Sequence, residues 1–369
     1  GIGTSLELYP DVTKVKEKEF RATFEIKGKA LYGQIPFAIR MMKEILTASK
    51  LDDEKRLKEI LSMTKTRLQD RFLSAGHSAA ALRAMSYKSP ISKFKDTTNG
   101  IEYYQNIREM EEHFDEKKEE IISGLKALSE LLFRKGNVMI SYTASREGLA
   151  VLEEEIGSLK EVLYPERMPQ SRCILHCEKK NEGFKTSSKV QFAAKAGNFI
   201  DAGEEYNGAL QILKVIMSYE YLWINIRVKG GAYGCMSNFN RIGEGYFVSY
   251  RDPNLERTME VYEGIADYLR NFTVSDRDMN KYIIGTMSNI DQPMTPSAKG
   301  DRSFNLYMNK VSAETIKKER LQILEAGQED IRKLADVVEA VMKAEQVCVI
   351  GSEEKIEEAK DMFKNVTTF

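Results

Sequence analysis

The same order of elements occurs twice in this chain of 369 residues. In residues 111–156 a helical stretch is followed by the apolar segment NVMISYT and by the helix-like run SREGLAVLEEEI. In residues 328–363 a second helical stretch is followed by QVCVIG and by SEEKIEEAKDMF. Two copies of the order helix, strand, helix indicate a duplicated unit. We therefore predict an α+β protein of two homologous α/β sandwich-like units, each a mostly antiparallel sheet packed with helices.

Periodicity predicts the other elements. Residues 18–26 alternate strictly between apolar and polar side chains, which is typical of a half-buried strand. Further strands are predicted over 188–197 and 245–250. Helices are predicted over 33–46, from Asp52 onward, and over the nearly all-apolar stretch 206–223.

The domain limits follow from composition and length. A chain this long favours two domains over one ordinary core. Residues 165–187 are rich in Pro, Lys, Ser and Gly, so we predict a linker there, between a first domain over 1–164 and a second over 188–369. The loop 291–303 is too long for a simple turn, and we expect it to border a cleft.

Charge and cysteine content exclude several classes of function. The 55 basic and 56 acidic residues give a net charge of −1, which provides no global field for nucleic acid or an anionic membrane. Four cysteines form no disulfide framework, which favours a reducing compartment. No apolar run approaches the roughly 20 residues of a membrane span. The start GIGTSLELYP has no initiator Met or signal peptide, so we expect a piece of a longer polypeptide.

The segment NIRVKGGAYGCMSN, residues 225–238, is the candidate for chemistry. A phosphate cradle is disfavoured, because its glycines follow a helix and no Walker or dinucleotide pattern is present. Two readings remain open from residue types alone. Arg227 and Tyr233 could cap and pack a glycine turn, which residue types favour. Alternatively, Arg227 could bind a carbonyl or carboxylate while the Tyr233 hydroxyl donates to an oxyanion.

The metal-ligand residue types are scattered. Cys173, His176 and Cys177 form a short cluster without a clear fourth ligand, and we favour an ordinary strand or linker with reduced thiols. His77 is expected near a helix start, and His113 lies in a charged helical run. No H-x-x-E-H or H-E-x-x-H pair is present in the chain. We therefore predict no metal site in this chain.

Several long segments resemble one family. YLWINIRVKGGAYG (221–234), GYFVSYRDPN (245–254) and IIGTMSNIDQPMTPSAKGDRSF (283–304) are similar to the C-terminal half of pitrilysin/insulinase zinc metallopeptidases. GHSAAALRAMSY (76–87) and GIEYYQNI (100–107) resemble the presequence-protease branch in particular. The resemblance covers nearly the whole chain.

That resemblance implies four homologous domains per protease, arranged as two halves that close around a peptide chamber. This chain would hold the third and fourth domains, and its partners would be the N-terminal half of the same polypeptide and peptide substrates. Zinc would be bound by the N-terminal half, in an inverted H-x-x-E-H motif. The isolated fragment is then expected to be inactive.

The resemblance also implies residue roles. The R-x-K-G-G-A-Y pattern of the family assigns Arg227 to the substrate backbone and Tyr233 to the oxyanion. We infer in addition that Gly230, Gly231 and Gly234 allow close approach of the substrate. Two alternatives stand beside this interpretation: a non-catalytic peptide-binding or scaffold relative of the same fold, and a nucleotide-binding module. The expected compartment is the bacterial cytoplasm, or an organellar matrix in a eukaryote.

Overall fold

The computed structural model describes residues 1–166 and 173–369, and its combination of sheets and helices confirms the α+β class. Within these two ranges the strands are β1 (Ile2–Pro10), β2 (Phe20–Gly28), β3 (Glu182–Thr186), β4 (Phe192–Asn198), β5 (Gly234–Phe239), β6 (Glu244–Tyr250), β7 (Gln346–Ser352) and β8 (Asn365–Thr368). The α-helices are α1 (Ile35–Thr47), α2 (Glu54–Ser86), α3 (Pro90–Asn99), α4 (Ile101–Glu112), α5 (Phe114–Leu132), α6 (Arg146–Glu161), α7 (Ala209–Tyr219), α8 (Leu255–Glu263), α9 (Ile265–Arg270), α10 (Asp276–Ile290), α11 (Pro296–Met308), α12 (Ala313–Leu324), α13 (Gln328–Lys343) and α14 (Glu353–Glu358).

Six strands form the main sheet, in the order β5-β6-β4-β7-β3-β8. Strands β5, β6, β4 and β7 pair antiparallel, whereas β7, β3 and β8 run parallel. The N-terminal strands β1 and β2 form a separate antiparallel pair, with Leu6 opposite Phe24.

Both faces of the main sheet are covered by helices, so its central strands are apolar on both sides. Along β4, Ala193 points into one core, whereas Phe192 and Ala194 point into the other, as the two-residue period of a strand requires. The first core contains residues of α7, α9 and α13, including Ile212 and Val338. The second contains residues of α2 and α4.

Helix α2 reaches the sheet through small residues. It is 33 residues long and bends at Ala75, whose φ of −141° and ψ of 39° are not helical. Beyond the bend a run of alanines is buried, and a Cβ on Gly76 would lie 2.6 Å from the Phe192 ring. The expectation that His77 lies near a helix start is wrong, because the helix continues through the bend.

A buried ion cluster joins α2 and α3 to the main sheet. Arg83 on α2 donates to both carboxylate oxygens of Glu182 on β3, at 2.6 and 3.0 Å, and to Asp96 on α3 at 2.5 Å. The Tyr87 hydroxyl donates to the same Glu182 at 3.1 Å. Helices before the predicted linker therefore cover a sheet formed by strands after it.

Four predictions about local structure need correction. The predicted linker contains β3, while its residues 167–172 lie outside the described ranges. Residues 138–143 are extended but lie in no strand, since no described strand lies alongside them. Residues 296–303 belong to α11, with Pro296 at its first turn. The helix predicted over 206–223 ends at Tyr219.

Candidate functional site

A change of helix type positions Arg227. Helix α7 ends at Glu220, whose φ of −112° and ψ of −98° break it, and a π-helix follows over Trp223–Val228. Its i→i+5 bond runs from the Lys229 amide to the Ile224 carbonyl at 2.9 Å. Ile226 is buried and anchors this turn in the first core, which leaves Arg227 toward the surface. Short π-helices are frequent at functional sites.

A glycine turn then reverses the chain. The Gly231 amide donates to the Arg227 carbonyl at 3.0 Å, and Gly231 has a φ of +77°, which favours glycine. Gly230 is buried, and a Cβ there would lie 2.4 Å from the Ile226 carbonyl oxygen. Gly234 has more room, since its nearest neighbour would be the Tyr250 Cβ at 3.8 Å. The three glycines thus differ: Gly231 is exposed, whereas Gly230 is required by the turn itself.

The corner between β6 and α8 supports this turn from below. The Asn254 side chain donates to the Gly230 carbonyl at 2.5 Å. Asp252 holds that corner, since its carboxylate accepts from the Asn254 amide at 2.9 Å and from the Thr258 hydroxyl at 2.5 Å. Burial raises the pKa of Asp252. The glycine turn therefore rests on a hydrogen-bonded base.

Tyr233 is fixed at its backbone and open at its side chain. Its amide donates to the Tyr250 carbonyl at 3.0 Å, immediately before edge strand β5. Its ring stands edge-on to the Tyr250 ring, with centroids 5.7 Å apart, yet the residue is 65% exposed. Among the described residues the hydroxyl has no hydrogen-bond partner, so a ligand could accept its proton.

Arg227 lies between two aromatic rings. Its guanidinium carbon is 4.1 Å from the Trp223 ring centre and 5.5 Å from the Tyr233 ring centre. Stacking occupies the faces of the guanidinium and leaves its N–H groups at the edge. No acidic side chain in the described ranges forms an ion pair with Arg227. The site therefore presents a cationic fork beside a phenolic O–H.

Cys235 lies next to this pair and is not a nucleophile. Burial raises the pKa of its thiol to about 12, and the opposing charge of Arg227 offsets this only in part. A thiolate is the reactive form of cysteine, so this thiol is inert near neutral pH.

The site has supporting residues that the sequence reasoning missed. Trp223 could have been found from its spacing to Arg227, since residues four apart share one helical face. Tyr250 and Asn254 come from the corner after β6, and no local pattern links them to the glycine turn. His77 on α2 stands edge-on to Tyr250, with ring centres 4.9 Å apart.

The other candidate residues do not come together. Within the described ranges, no group of three or more His, Cys, Asp or Glu side chains could hold a metal ion. Cys173 is exposed, and His77 contacts aromatic rings. A nucleotide cradle also lacks support, because GGAYG leads into strand β5 and not into a helix N-terminus.

Two family models match the chain. One, described as PreP C-terminal domain, matches residues 181–354. The other, described as the associated domain of peptidase family M16, subfamily C, matches residues 1–110. Together they cover both sides of the predicted linker, and the first contains Arg227 and Tyr233.

Curated relatives are much longer than this chain. Protein HypA of Clostridium perfringens (strain 13 / Type A) is 38% identical over 351 residues, covering 95% of this chain and 36% of that protein. Presequence protease 1, chloroplastic/mitochondrial, of Arabidopsis thaliana is 27% identical over 365 residues, covering 98% of this chain and 34% of that protein. The chain thus spans about a third of the length of these relatives.

Solved structures share the fold. The crystal structure of pitrilysin matches with a TM-score of 0.56 and 12% identity, covering 95% of this chain and 35% of that one. A peptidase M16 inactive domain from Pseudomonas fluorescens matches with a TM-score of 0.55 and 13% identity, covering 95% and 80%. In the described part of the chain, no helix has the length and apolarity required to cross a bilayer.

Proposed function

Because this chain belongs to the presequence-protease branch of the pitrilysin peptidase family, we propose that it is the non-zinc-binding half of a zinc metallopeptidase acting on unstructured peptides. In this proposal it closes a peptide chamber and contributes Arg227 and Tyr233 to an active site shared with an N-terminal half. The observation that carries the proposal is the exposed pair itself, with a free hydroxyl 65% exposed beside an arginine that has no acidic partner in the described ranges.

Tyr233 acts as the oxyanion donor. When a nucleophile adds to a peptide carbonyl, the carbonyl oxygen gains negative charge, and a hydrogen bond to that oxygen strengthens as the charge develops. The Tyr233 hydroxyl keeps its proton throughout and donates it to this oxygen. One such donor stabilises a transition state by about 3–4 kcal/mol. The fixed backbone of Tyr233 limits the reorganisation that this interaction requires.

Arg227 positions the peptide. Its edge N–H groups can donate to a backbone carbonyl beside the bond that is cleaved, while the Trp223 ring restricts the guanidinium to one orientation. The exposed Gly231 and the half-buried Gly234 have no side chains, which lets the peptide approach closely. Gly230 contributes indirectly, since it is buried and shapes the turn.

The described residues of this chain do not fit a zinc site. In the proposed enzyme, zinc on the other half would supply Lewis-acid chemistry and an activated water. The part played by this chain is binding, orientation and hydrogen-bond donation.

The test is reconstitution of the two halves. The chain alone should not hydrolyse an unstructured peptide, whereas the chain joined to or mixed with its zinc-binding half should. Steady hydrolysis by the highly purified chain alone would overturn the proposal. A partner half without a zinc motif, with no activity in the mixture, would support the scaffold alternative instead.

A further inference from the structure

A cleft of about 590 Å³ lies at the far end of β5 from Tyr233. Its walls come from the end of β1, from α3, from the turn between β5 and β6, and from α11 and α12. This volume falls within the range of about 300–1,000 Å³ for small-ligand sites. Part of its lining is aliphatic: Leu8, Val12, Ile91, Ile242, Leu306 and Val311.

The carboxylates that line this cleft are already neutralised or hydrogen-bonded. Glu319 accepts two bonds from the Arg241 guanidinium, at 2.7 and 2.6 Å. Glu244 accepts from the Asn240 amide at 2.8 Å and from the Ser92 hydroxyl. Neither carboxylate is left to attract a cationic ligand.

Two of the cations in the lining, by contrast, have no partner. Arg320 is paired with Asp291, at 2.5 and 2.9 Å. Lys95 and Arg302 line the cleft as well, and neither forms an ion pair or hydrogen bond with any described residue. Arg302 lies close enough to Asp291 to reinforce the lowering of its pKa by Arg320, but it makes no contact of its own. The cleft therefore carries an excess of positive charge.

A third feature is an acceptor without a donor. The side-chain oxygen of Asn309, at the end of α11, is buried in the cleft wall and has no hydrogen-bond partner among the described residues. An unsatisfied buried acceptor costs about 1–3 kcal/mol, and a ligand with an N–H group would remove that cost.

We propose that this cleft binds the C-terminal end of an apolar peptide. Lys95 and Arg302 bind the terminal carboxylate, Asn309 accepts a backbone N–H, and the aliphatic lining contacts the last side chains. Strand β5 separates the cleft from Tyr233 by roughly 20 Å, at about 3.3 Å per residue. The cleft is therefore a second peptide site, and it does not depend on the catalytic role proposed for Tyr233.

The three features together select this ligand. An inorganic anion such as phosphate could bind the two cations, but it would leave the aliphatic lining exposed to water. A purely apolar ligand would leave Lys95 and Arg302 unpaired. Only a ligand with a carboxylate, an N–H donor and apolar side chains satisfies all three, and a peptide C-terminus has them within one or two residues.

Calorimetric titration of the chain tests the proposal. The probe is an acetylated tetrapeptide with two C-terminal leucines, used as the free acid and as the C-terminal amide, and inorganic phosphate is titrated in parallel. The acid should bind more tightly than the amide. Arg302→Gln and Lys95→Gln should each weaken binding of the acid by about fivefold, as expected for an exposed ion pair. Lys299→Gln, one turn away on α11 and outside the cleft lining, should leave it unchanged.

Several results would overturn the proposal. These are equal binding of acid and amide, absence of binding at millimolar concentration, no effect of either charge variant, or displacement of the peptide by equimolar phosphate. Trp223 fluorescence distinguishes the two sites, because Trp223 stacks on Arg227 and lies outside the cleft lining. Binding that is lost in Arg227→Gln and retained in Arg302→Gln would place the peptide at the first site. All variants are checked by thermal melting, and both charge substitutions are at exposed positions.

Discussion

The guanidinium carbon of Arg227 lies 4.1 Å from the ring centre of Trp223, one turn earlier on the same π-helix. This stack fixes the orientation of the charged group beside Tyr233 that could bind a peptide carbonyl. Trp223 is also the one tryptophan of the chain. The site thus contains an intrinsic fluorophore in contact with a proposed ligand-binding residue.

Peptide binding at Arg227 should therefore change the fluorescence of Trp223. An unstructured peptide titrated into the chain should give a saturable change, and Arg227→Gln should weaken the apparent affinity by roughly tenfold, as for one charge-assisted hydrogen bond. Lys229→Gln is the matched control, since Lys229 is exposed two residues further on and stacks on neither ring. Equal weakening by both variants would indicate a general charge effect and not a role specific to Arg227.

Removal of the Tyr233 hydroxyl should affect catalysis and leave folding unchanged. In the enzyme reconstituted with the zinc-binding half, Tyr233→Phe should lower kcat about 10²-fold or more, because one oxyanion donor is lost. KM and the melting temperature should change little, since the ring still packs edge-on to Tyr250 and the hydroxyl is exposed. An unchanged kcat would exclude the oxyanion role.

The three glycines of the turn should differ in their tolerance of alanine. Gly231→Ala should destabilise by about 1–2 kcal/mol, because its φ of +77° is unfavourable for any side chain. Gly230→Ala should cost more, about 3 kcal/mol, since the new Cβ would meet the Ile226 carbonyl oxygen at 2.4 Å. Gly234→Ala should stay within about 0.5 kcal/mol, because its nearest neighbour would be 3.8 Å away. Urea denaturation measures all three, and equal costs would contradict this account of the turn.

The sequence predicted the strands of the main sheet better than it predicted their partners. Alternation and apolar runs located the strands over 188–197, 245–250 and 346–352 to within a few residues of β4, β6 and β7. The segment NVMISYT is equally apolar, yet it forms no strand in the structure. A strand requires a neighbour with free backbone groups, and periodicity carries no information about that neighbour.

Long-range contacts were the other limit. Arg83 and Glu182 are 99 residues apart, on opposite sides of the predicted linker, and nothing local in either segment indicates their pairing. The candidate site shows the same limit, because the resemblance located Arg227 and Tyr233 but not Asn254 or Tyr250 beneath them. The contact of Trp223 with Arg227 is local, and helical spacing alone could have predicted it.

Loss of Arg83 should destabilise the chain strongly. Arg83→Met leaves the carboxylates of Glu182 and Asp96 buried without their cation, which should cost about 3–5 kcal/mol. Arg56→Met on the same helix is the control, since its pair with Glu59 is exposed and should contribute less than about 0.5 kcal/mol. Chemical denaturation measures both variants. A small effect at Arg83 would mean that α2 and the sheet are held together by apolar contacts alone.

His77 should couple acid pH to the stability of the aromatic contacts beneath Tyr233. Burial against Tyr250 and Phe192 lowers the pKa of His77 below the ordinary value of 6.5. The unfolded chain therefore binds a proton near pH 6.5, whereas the folded chain binds it only at lower pH, so stability falls as the pH decreases below 6.5. NMR titration of the imidazole should give the lowered pKa directly. His77→Phe keeps the ring contacts and removes the proton site, so the wild-type protein should lose more stability than this variant between about pH 7.5 and 5.5. An equal loss in both proteins, or a His77 pKa above 6.5, would contradict this coupling.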